Sequence, residues 1–390
     1  MTSAAKDRMP VGSLLALSMA AFVTILTEAL PAGLLPQMAQ GLGVSQAWVG
    51  QTVTLYAIGS LVTAIPLTVA TRGIRRRPLL LAAIAGFTIA NTVTALSASY
   101  VLTMVARFLA GVSAGLLWAL LAGYAARMVP EHQKGRAIAI AMAGTPLALS
   151  LGVPAGTFLG HLVGWRACFG SMSLLALALM VWVRLKVPDF AAQAAEERLP
   201  LLRVFTLPGV RPVLFVVMAF VLAHNILYTY ITPFLLEAGL VDRTDLVLLV
   251  FGTASLLGIW VIGVLIDQHL RALTLASTAL FGLSAMVLGL AGTEANAVYA
   301  AVGAWGLAFG GAATLFQTAL ARAANGATDV AQSMLVTTWN TAIAGGGIVG
   351  GVLLDNLGAG AFSPALLALL LATLLVAGSA RRHGFPAPAA

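Results

Sequence analysis

Residues 366–377 read LLALLLATLLVA, in which Thr373 is the one polar side chain. A membrane-spanning β-strand would alternate apolar and polar residues over about 10 positions. This stretch does not alternate, and neither does the apolar run at 79–85. The pattern therefore predicts helices, whose backbones make all their hydrogen bonds inside the segment, as lipid requires.

Similar apolar stretches fill almost the whole chain. Each is roughly 20 residues long, which is the length a helix needs to cross a hydrocarbon core about 30 Å thick. We predict twelve transmembrane helices, called spans 1 to 12, at 12–34, 49–70, 78–98, 100–124, 137–159, 165–185, 212–236, 245–266, 272–291, 297–320, 332–354 and 362–380. The predicted fold class is an all-α membrane protein.

Composition and charge agree with this fold class. The chain is 60% hydrophobic and 9% charged, against about 25% charged residues in soluble domains. Its net charge of +8 could suggest a nucleic-acid partner, but 18 of the 21 Lys and Arg residues fall on one side of the predicted spans, the exceptions being Arg107, Arg166 and Arg243. Basic loops stay in the cytoplasm, so we predict cytoplasmic termini, contact with lipid headgroups and no nucleic-acid partner.

The chain divides into two similar halves. The predicted boundaries are 1–187 for an N-terminal six-helix bundle, 188–210 for a cytoplasmic linker and 211–390 for a C-terminal six-helix bundle. The linker is either a plain connector or contains a short helix on the membrane surface. A basic turn follows span 2 and another follows span 8. Two such halves around a midplane site are typical of rocking transporters.

Glycines in span 5 also have a counterpart in the second half. Gly152, Gly156 and Gly160 are spaced by four residues, as are Gly347 and Gly351 in span 11. Glycines one turn apart let a second helix backbone approach closely. We therefore predict helix-packing faces on spans 5 and 11.

Four stretches resemble motifs of one transporter family. The turn at 71–77 is similar to its G-x-L-x-D-R-x-G-R-R signature, and 102–115 to its span 4 motif. The set Gly144, Gly152, Pro154 and Gly156, with Gly160 beyond it, resembles the span 5 motif of exporters, and 224–234 resembles span 7 of sugar-efflux permeases. The chain thus resembles a major facilitator superfamily transporter of the twelve-span drug/proton antiporter branch, which includes bacterial arabinose, nucleoside and chloramphenicol efflux permeases.

The resemblance implies a bacterial inner-membrane monomer with two pseudo-symmetric six-helix bundles. It also implies a cytoplasmic gate, which we assign to Arg72, Gly73, Arg76, Asp267 and Arg271. Two departures weaken the match. Thr71 stands where the signature usually has Asp, and Val153 separates Gly152 from Pro154, which are usually adjacent in the family.

Two charges lie inside predicted spans, where charges are costly and usually functional. Glu28 is in span 1 and Arg107 in span 4, and helix rise places both in the outer half of the membrane. A conformational change that alters their contact would change whether Glu28 holds a proton. We predict proton coupling at this pair; the alternative is a static ion pair that fixes the two spans.

His224 lies near the midplane of span 7, with Tyr228 one turn later. Since imidazole titrates near neutral pH, His224 is a candidate proton carrier, substrate ligand or packed histidine. The candidate substrate-cavity residues are Asn225, Tyr228, Tyr230, Gln317, Asn340, Trp118 and Trp339. Amides and aromatic rings in bundles also serve as packing.

Other functional classes find little support. The G-x-S-x-G match at 111–115 lies mid-span, whereas a hydrolase needs that serine on a tight turn. The sequence contains no P-loop, no H-E-x-x-H and a single cysteine, Cys168. We therefore predict no enzyme activity, cofactor or metal. The predicted function is export of a sugar, nucleoside or drug-like molecule by proton antiport; the alternatives are a proton-linked importer and, less favoured, a passive channel or lipid scramblase.

Overall fold

The computed structural model describes the backbone of residues 9–71, 73–130, 133–191, 201–324 and 328–385, and within these ranges it describes all side chains except those of 64, 65, 68, 69, 134, 135, 201, 267 and 328–330. All twelve predicted spans are helical. The helices are Val11–Leu42, Gln46–Ala70, Arg76–Leu96, Tyr100–Arg127, Lys134–Met142, Gly144–Leu147, Val153–Val163, Trp165–Lys186, Leu201–Phe205, Val210–Thr229, Ile231–Phe234, Thr244–Ala291, Ala295–Gly310, Ala312–Ala323, Thr328–Leu357 and Phe362–Ser379. The described residues contain no β-strand, so the all-α prediction is confirmed.

Ten of the described helical segments are long and apolar enough to cross a membrane. They correspond to every predicted span except 2 and 11, whose helices, Gln46–Ala70 and Thr328–Leu357, contain residues with undescribed side chains. Large apolar side chains stay exposed along the helices, such as Leu174, Leu290 and Leu375. Soluble monomers rarely expose extended apolar surface, so these side chains are suited to face lipid.

Spans 8 and 9 follow each other without a loop, as the helix Thr244–Ala291, and the backbone angles of this helix are non-helical at His269. Their predicted separation therefore lies at this kink. The linker contains a short helix, Leu201–Phe205, and residues 192–200 of the linker lie outside the described part of the chain.

Spans 5, 7 and 10 are each interrupted. Span 5 contains a π-helical turn at Ala148–Gly152, next to Pro154, which has no N–H to continue the α-helical hydrogen bonds. Span 7 breaks at Tyr230, since the ring of Pro233 conflicts with the carbonyl four residues earlier. Span 10 breaks at Gly311, a position that the sequence analysis treats as continuous helix. Broken helices and π-turns are common at functional sites.

By internal contacts the chain separates into two compact units. Unit 1 comprises Met1–Val44 and Leu55–Glu196, and unit 2 comprises Ser45–Thr54 and Glu197–Ala390. The first turns of span 2 thus belong with unit 2, although the sequence places them in the N-terminal half.

Glycines set the closest helix contacts inside unit 1. A Cβ atom at Gly144 would overlap the Ser18 carbonyl oxygen, and a Cβ atom at Gly156 would press on the Leu30 side chain. Gly152 and Gly160 likewise face span 1, so these glycines of span 5 let the two helices approach closely. Spans 2 and 4 meet in the same manner, at Gly111.

Unit 2 repeats both contacts. Gly346 of span 11 packs against Asn225 of span 7, and Gly350 packs against Tyr230. Gly306 and Gly310 of span 10 approach carbonyl oxygens of span 8. In unit 1, span 1 packs on span 5 and span 2 packs on span 4. In unit 2, span 7 packs on span 11 and span 8 packs on span 10, so the internal repeat is also present in the helix packing.

Candidate transport sites

Arg107 is 1% exposed, which makes it the most deeply buried of the charged side chains that the structure describes in unit 1. Its Nη2 donates to the Glu28 backbone carbonyl oxygen at 3.4 Å. Its guanidinium carbon lies 5.1 Å from the centre of the Tyr56 ring and 5.9 Å from that of Phe169. The structure thus brings spans 1 and 4 together at the predicted pair, and the contact it records is with the main chain of Glu28.

Glu28 itself is half-buried. The side chains around it form a polar layer between apolar turns. The Tyr56 hydroxyl donates to the Thr24 carbonyl oxygen at 3.0 Å, and Asn91 Nδ2 donates to Thr27 Oγ1 at 3.1 Å. Sequence reasoning missed Tyr56 and Asn91, although an asparagine inside an apolar span is a usable signal.

This arrangement suits a carboxyl group that exchanges protons. Arg107 contacts a carbonyl oxygen and two ring faces, so the Glu28 carboxylate is not its sole partner. A carboxyl group beside a fixed cation changes its protonation when their distance or hydration changes. The layer therefore combines a carboxyl group and a nearby cation between spans 1 and 4.

His224 lies inside an aromatic cluster of unit 2. Its ring stacks on Phe309, with centroids 3.5 Å apart and an interplanar angle of 8°. Tyr228 stacks on it at 5.1 Å, and Trp305 and Phe251 lie at 5.2 and 5.7 Å. We call these five residues, from spans 7, 8 and 10, the aromatic cluster. Tyr228 thus lies beside His224, as the one-turn spacing implies.

The other predicted cavity residues lie apart from this cluster or at its edge. Asn225 and Asn340 each donate to a carbonyl oxygen one turn earlier in their own helix, at 2.8 and 2.9 Å. Gln317 is exposed, and Trp118 packs against the core of unit 1. Trp339 is half-buried at 6.2 Å from Phe309.

Tyr230 connects helices of unit 2. Its hydroxyl donates to the Gly347 carbonyl oxygen at 2.7 Å and lies 3.2 Å from the Ala47 carbonyl oxygen. Gln51 Nε2 donates to the Tyr230 hydroxyl at 3.2 Å and to the same Gly347 carbonyl at 3.0 Å. The geometry gives Tyr230 a helix-joining role, whereas the sequence predicts a cavity residue.

The predicted cytoplasmic gate is only partly described. Arg72 and the Asp267 side chain lie outside the described residues. Gly73 is exposed in the turn, and the Arg76 backbone N–H donates to the Phe190 carbonyl oxygen at 3.0 Å. Arg271 donates to the carbonyl oxygens of Ala377, Gly378 and Phe385 at 2.8–3.1 Å, so it caps the end of span 12.

Asp189, which the sequence analysis leaves out, supplies an acidic partner to the basic turn after span 2. Its carboxylate accepts from Arg77 N–H at 3.0 Å and from Arg75 Nε at 2.6 Å. Tyr124 and Arg127 hold the neighbouring carbonyl oxygens of Pro188 and Ala191. We call residues 187–191 the linker clasp, because these bonds fix the start of the linker to unit 1.

The linker clasp should depend on pH through Asp189. Its hydrogen bonds from Arg77 N–H and Arg75 hold the pKa of the Asp189 carboxyl below its usual range. The unfolded state has an Asp pKa of about 3.9, and the folded state has a lower one. The ionised carboxylate therefore stabilises the fold at pH values above the unfolded pKa, and this stabilisation is lost as pH falls through the folded pKa. We expect Asp189→Asn to lower the Tm by a few degrees at pH 7, and we expect its difference from wild type to shrink as pH falls below the unfolded pKa of about 3.9.

The measurement is thermal unfolding of the detergent-purified protein from pH 7 down to pH 3. The exposed Asp242→Asn serves as the matched control and should leave the curve unchanged. A constant difference between Asp189→Asn and wild type at every pH would show that the carboxylate charge does not hold the clasp.

Among the described residues, no group of three or more His, Cys, Asp or Glu side chains is placed to hold a metal ion. The single cysteine, Cys168, is buried, and its thiol contacts the Gly156 carbonyl oxygen at 3.4 Å. Two candidate sites inside the spans remain among the described residues, the layer around Glu28 and the aromatic cluster around His224.

Repeated helix pairs, interrupted spans and charges inside the membrane define a multi-pass transporter. The sequence profile of the Major Facilitator Superfamily matches residues 17–344, and the chain belongs to this family. It is therefore a transporter and not an enzyme, which confirms the family and the fold expected from the motifs.

Relatives and solved structures agree with that assignment. The chain is 28% identical to the purine ribonucleoside efflux pumps NepI of Shigella dysenteriae serotype 1 (strain Sd197) and Escherichia coli (strain K12), over 357 residues and 90% of each chain. A crystal structure of a POT family transporter in complex with 5-aminolevulinic acid superposes with a TM-score of 0.75. The superposition covers 95% of this chain and 94% of the POT transporter chain, and the two sequences are 14% identical. A likeness at this level of identity supports the fold alone.

Proposed function

We propose that this transporter exports a small molecule in exchange for protons, by alternating access in a bacterial inner membrane. The observation that carries the proposal is the contact between Arg107 and Glu28 inside unit 1. A carboxyl group at membrane depth is costly, and groups that are kept there usually serve transport. Here the carboxyl group belongs to a residue that contacts the buried cation Arg107.

The proposed cycle uses Glu28 as the proton carrier and Arg107 as the group that sets its proton affinity. Protons enter from outside and bind Glu28, and their release inside accompanies the return of the empty transporter. His224 is a second candidate carrier. The termini face the cytoplasm, the functional unit is a monomer, and basic residues of the cytoplasmic loops contact lipid headgroups.

The named activity of the relatives guides the choice of substrate. Efflux of purine ribonucleosides by NepI makes nucleosides the first compounds to test, ahead of sugars and amphenicol-like drugs. The described interior of unit 2 offers aromatic rings more than charges, which suits an uncharged substrate.

The test is proton movement in inside-out vesicles that carry an imposed pH gradient, acidic inside. Antiport predicts that an added substrate dissipates the gradient, as seen with a pH-sensitive dye, and that the substrate accumulates in the vesicle lumen. Proton-linked import predicts that a lumenal substrate leaves together with protons. Flux that is independent of the gradient would indicate a channel and contradict the proposal.

Arg107 is expected to matter for both stability and coupling. Arg107→Ala removes the hydrogen bond to the Glu28 carbonyl and the ring contacts of a fully buried side chain. We expect a loss of about 3 kcal/mol of stability, as for other broken buried charge sites, together with loss of proton-driven transport. Arg107→Lys keeps the charge and should retain part of both.

The measurement combines thermal unfolding in detergent with transport at equal protein density. Arg243→Ala, in the loop after span 7, is the matched control. Equal transport by wild type and Arg107→Ala would show that the charge beside Glu28 is dispensable for coupling.

A further inference from the structure

The aromatic cluster of unit 2 has two buried polar atoms that its packing does not explain. In the part of the chain that the structure describes, neither His224 Nδ1 nor Trp305 Nε1 has a hydrogen-bond partner. His224 is 6% exposed and Trp305 is fully buried. An unpaired buried donor is destabilising, and native proteins rarely keep one without a functional reason.

The two atoms belong to neighbouring rings. The His224 and Trp305 ring centroids lie 5.2 Å apart, so the two rings can contribute to one site. The indole N–H is a donor only, whereas a neutral imidazole nitrogen donates or accepts according to its tautomer. A partner must therefore offer an acceptor to Trp305 and a polar edge group to His224.

The surrounding surface selects for a flat ring. Phe309, Tyr228 and Phe251 present aromatic faces or edges around His224. Aromatic side chains stack on heterocyclic bases, because every base has a π-face. The cluster contains no carboxylate or ammonium group, so an uncharged heterocycle fits it better than an ion.

The helices that carry these rings are interrupted next to them. Span 7 breaks at Tyr230, two residues after Tyr228, and span 10 breaks at Gly311, two residues after Phe309. Phe309 is half-buried, unlike the other four members, and so marks the open side of the cluster. Discontinuous helices are where transporters of this architecture bind substrates.

We propose that the aromatic cluster is the subsite for a planar heteroaromatic ring of the substrate, such as a nucleobase. The ring stacks on Phe309 after the His224 imidazole turns aside. It then accepts a hydrogen bond from Trp305 Nε1 and pairs with His224 Nδ1. The proposal rests on the proposed transport function and adds that the heterocycle, not the sugar, is the recognised part.

The test is equilibrium binding of radiolabelled inosine to the full-length protein in nanodiscs, without a proton gradient. We expect wild type to bind inosine, free hypoxanthine to compete and free ribose not to compete. Trp305→Phe and His224→Phe keep a ring but remove the polar atom, and each should weaken binding roughly tenfold, the worth of a buried hydrogen bond. Trp260→Phe, at a 66% exposed position of span 8, is the matched control.

Three results would overturn the subsite: unchanged inosine affinity in both ring variants, ribose competing as well as hypoxanthine, or no binding of either heterocycle to wild type. The competition arm uses wild-type protein, so it decides the matter even if a variant fails to fold. The proposed function is tested separately, by transport under a proton gradient. If the protein binds inosine at this subsite but transports it independently of the gradient, antiport is contradicted and the subsite is not.

Discussion

Glu28→Gln should abolish proton-driven transport while leaving the protein folded. Glutamine has nearly the same shape as glutamate but cannot exchange a proton. The recorded Arg107 hydrogen bond goes to the Glu28 main chain and survives the substitution. We therefore expect efflux driven by a pH gradient to fall to background.

Substrate exchange provides the internal control for this variant. Exchange of labelled for unlabelled substrate across the membrane needs no net proton movement, so Glu28→Gln should retain it. Glu237→Gln, an exposed carboxylate of the loop after span 7, should behave as wild type in both assays. Normal gradient-driven efflux by Glu28→Gln would remove Glu28 from the mechanism.

Gly111→Ala should strongly destabilise the contact between spans 2 and 4. A Cβ atom there would overlap the Tyr56 carbonyl oxygen, and a backbone oxygen cannot rotate away as a side chain can. Spans 2 and 4 would have to separate, and with them Tyr56, whose ring lies on Arg107. We expect a loss of about 3 kcal/mol, the upper range for overpacking, with impaired transport.

Gly123→Ala is the matched control in the same helix. Nothing lies within 4 Å of a Cβ atom at Gly123, and alanine is the better helix former by about 0.5–1 kcal/mol. The two variants should therefore shift the unfolding temperature in opposite directions in the same detergent. Equal effects would show that the contact between spans 2 and 4 is looser than the structure has it.

Hydropathy was sufficient to predict the spans because lipid imposes one requirement on every residue of a crossing helix. Pro233 accounts for the break in span 7 in physical terms, because its ring conflicts with the carbonyl four residues earlier. The break in span 10 was missed, since Gly310 and Gly311 are also compatible with close packing in an unbroken helix. The structure shows that both approach span 8.

The candidate sites were harder to predict, because they depend on which helix faces meet. Glu28 and Arg107 stood out as isolated charges, but the contact with the Glu28 main chain and the roles of Tyr56 and Asn91 arise from packing. The aromatic cluster draws rings from three spans, and phenylalanines in apolar helices carry no sequence signal of their own. For Asp189, the sequence could indicate its position but not its partners, since it follows span 6 on the side predicted for the basic turn at 75–77.

The most direct test of the account is proton flux driven by substrate alone. Proteoliposomes with wild type or Glu28→Gln are loaded with inosine and a pH-sensitive dye, then diluted into inosine-free buffer at the same pH. The account predicts that wild type acidifies the lumen as inosine leaves, while Glu28→Gln does not. Inosine efflux without a pH change in wild type, or equal acidification in both, would contradict proton antiport through Glu28.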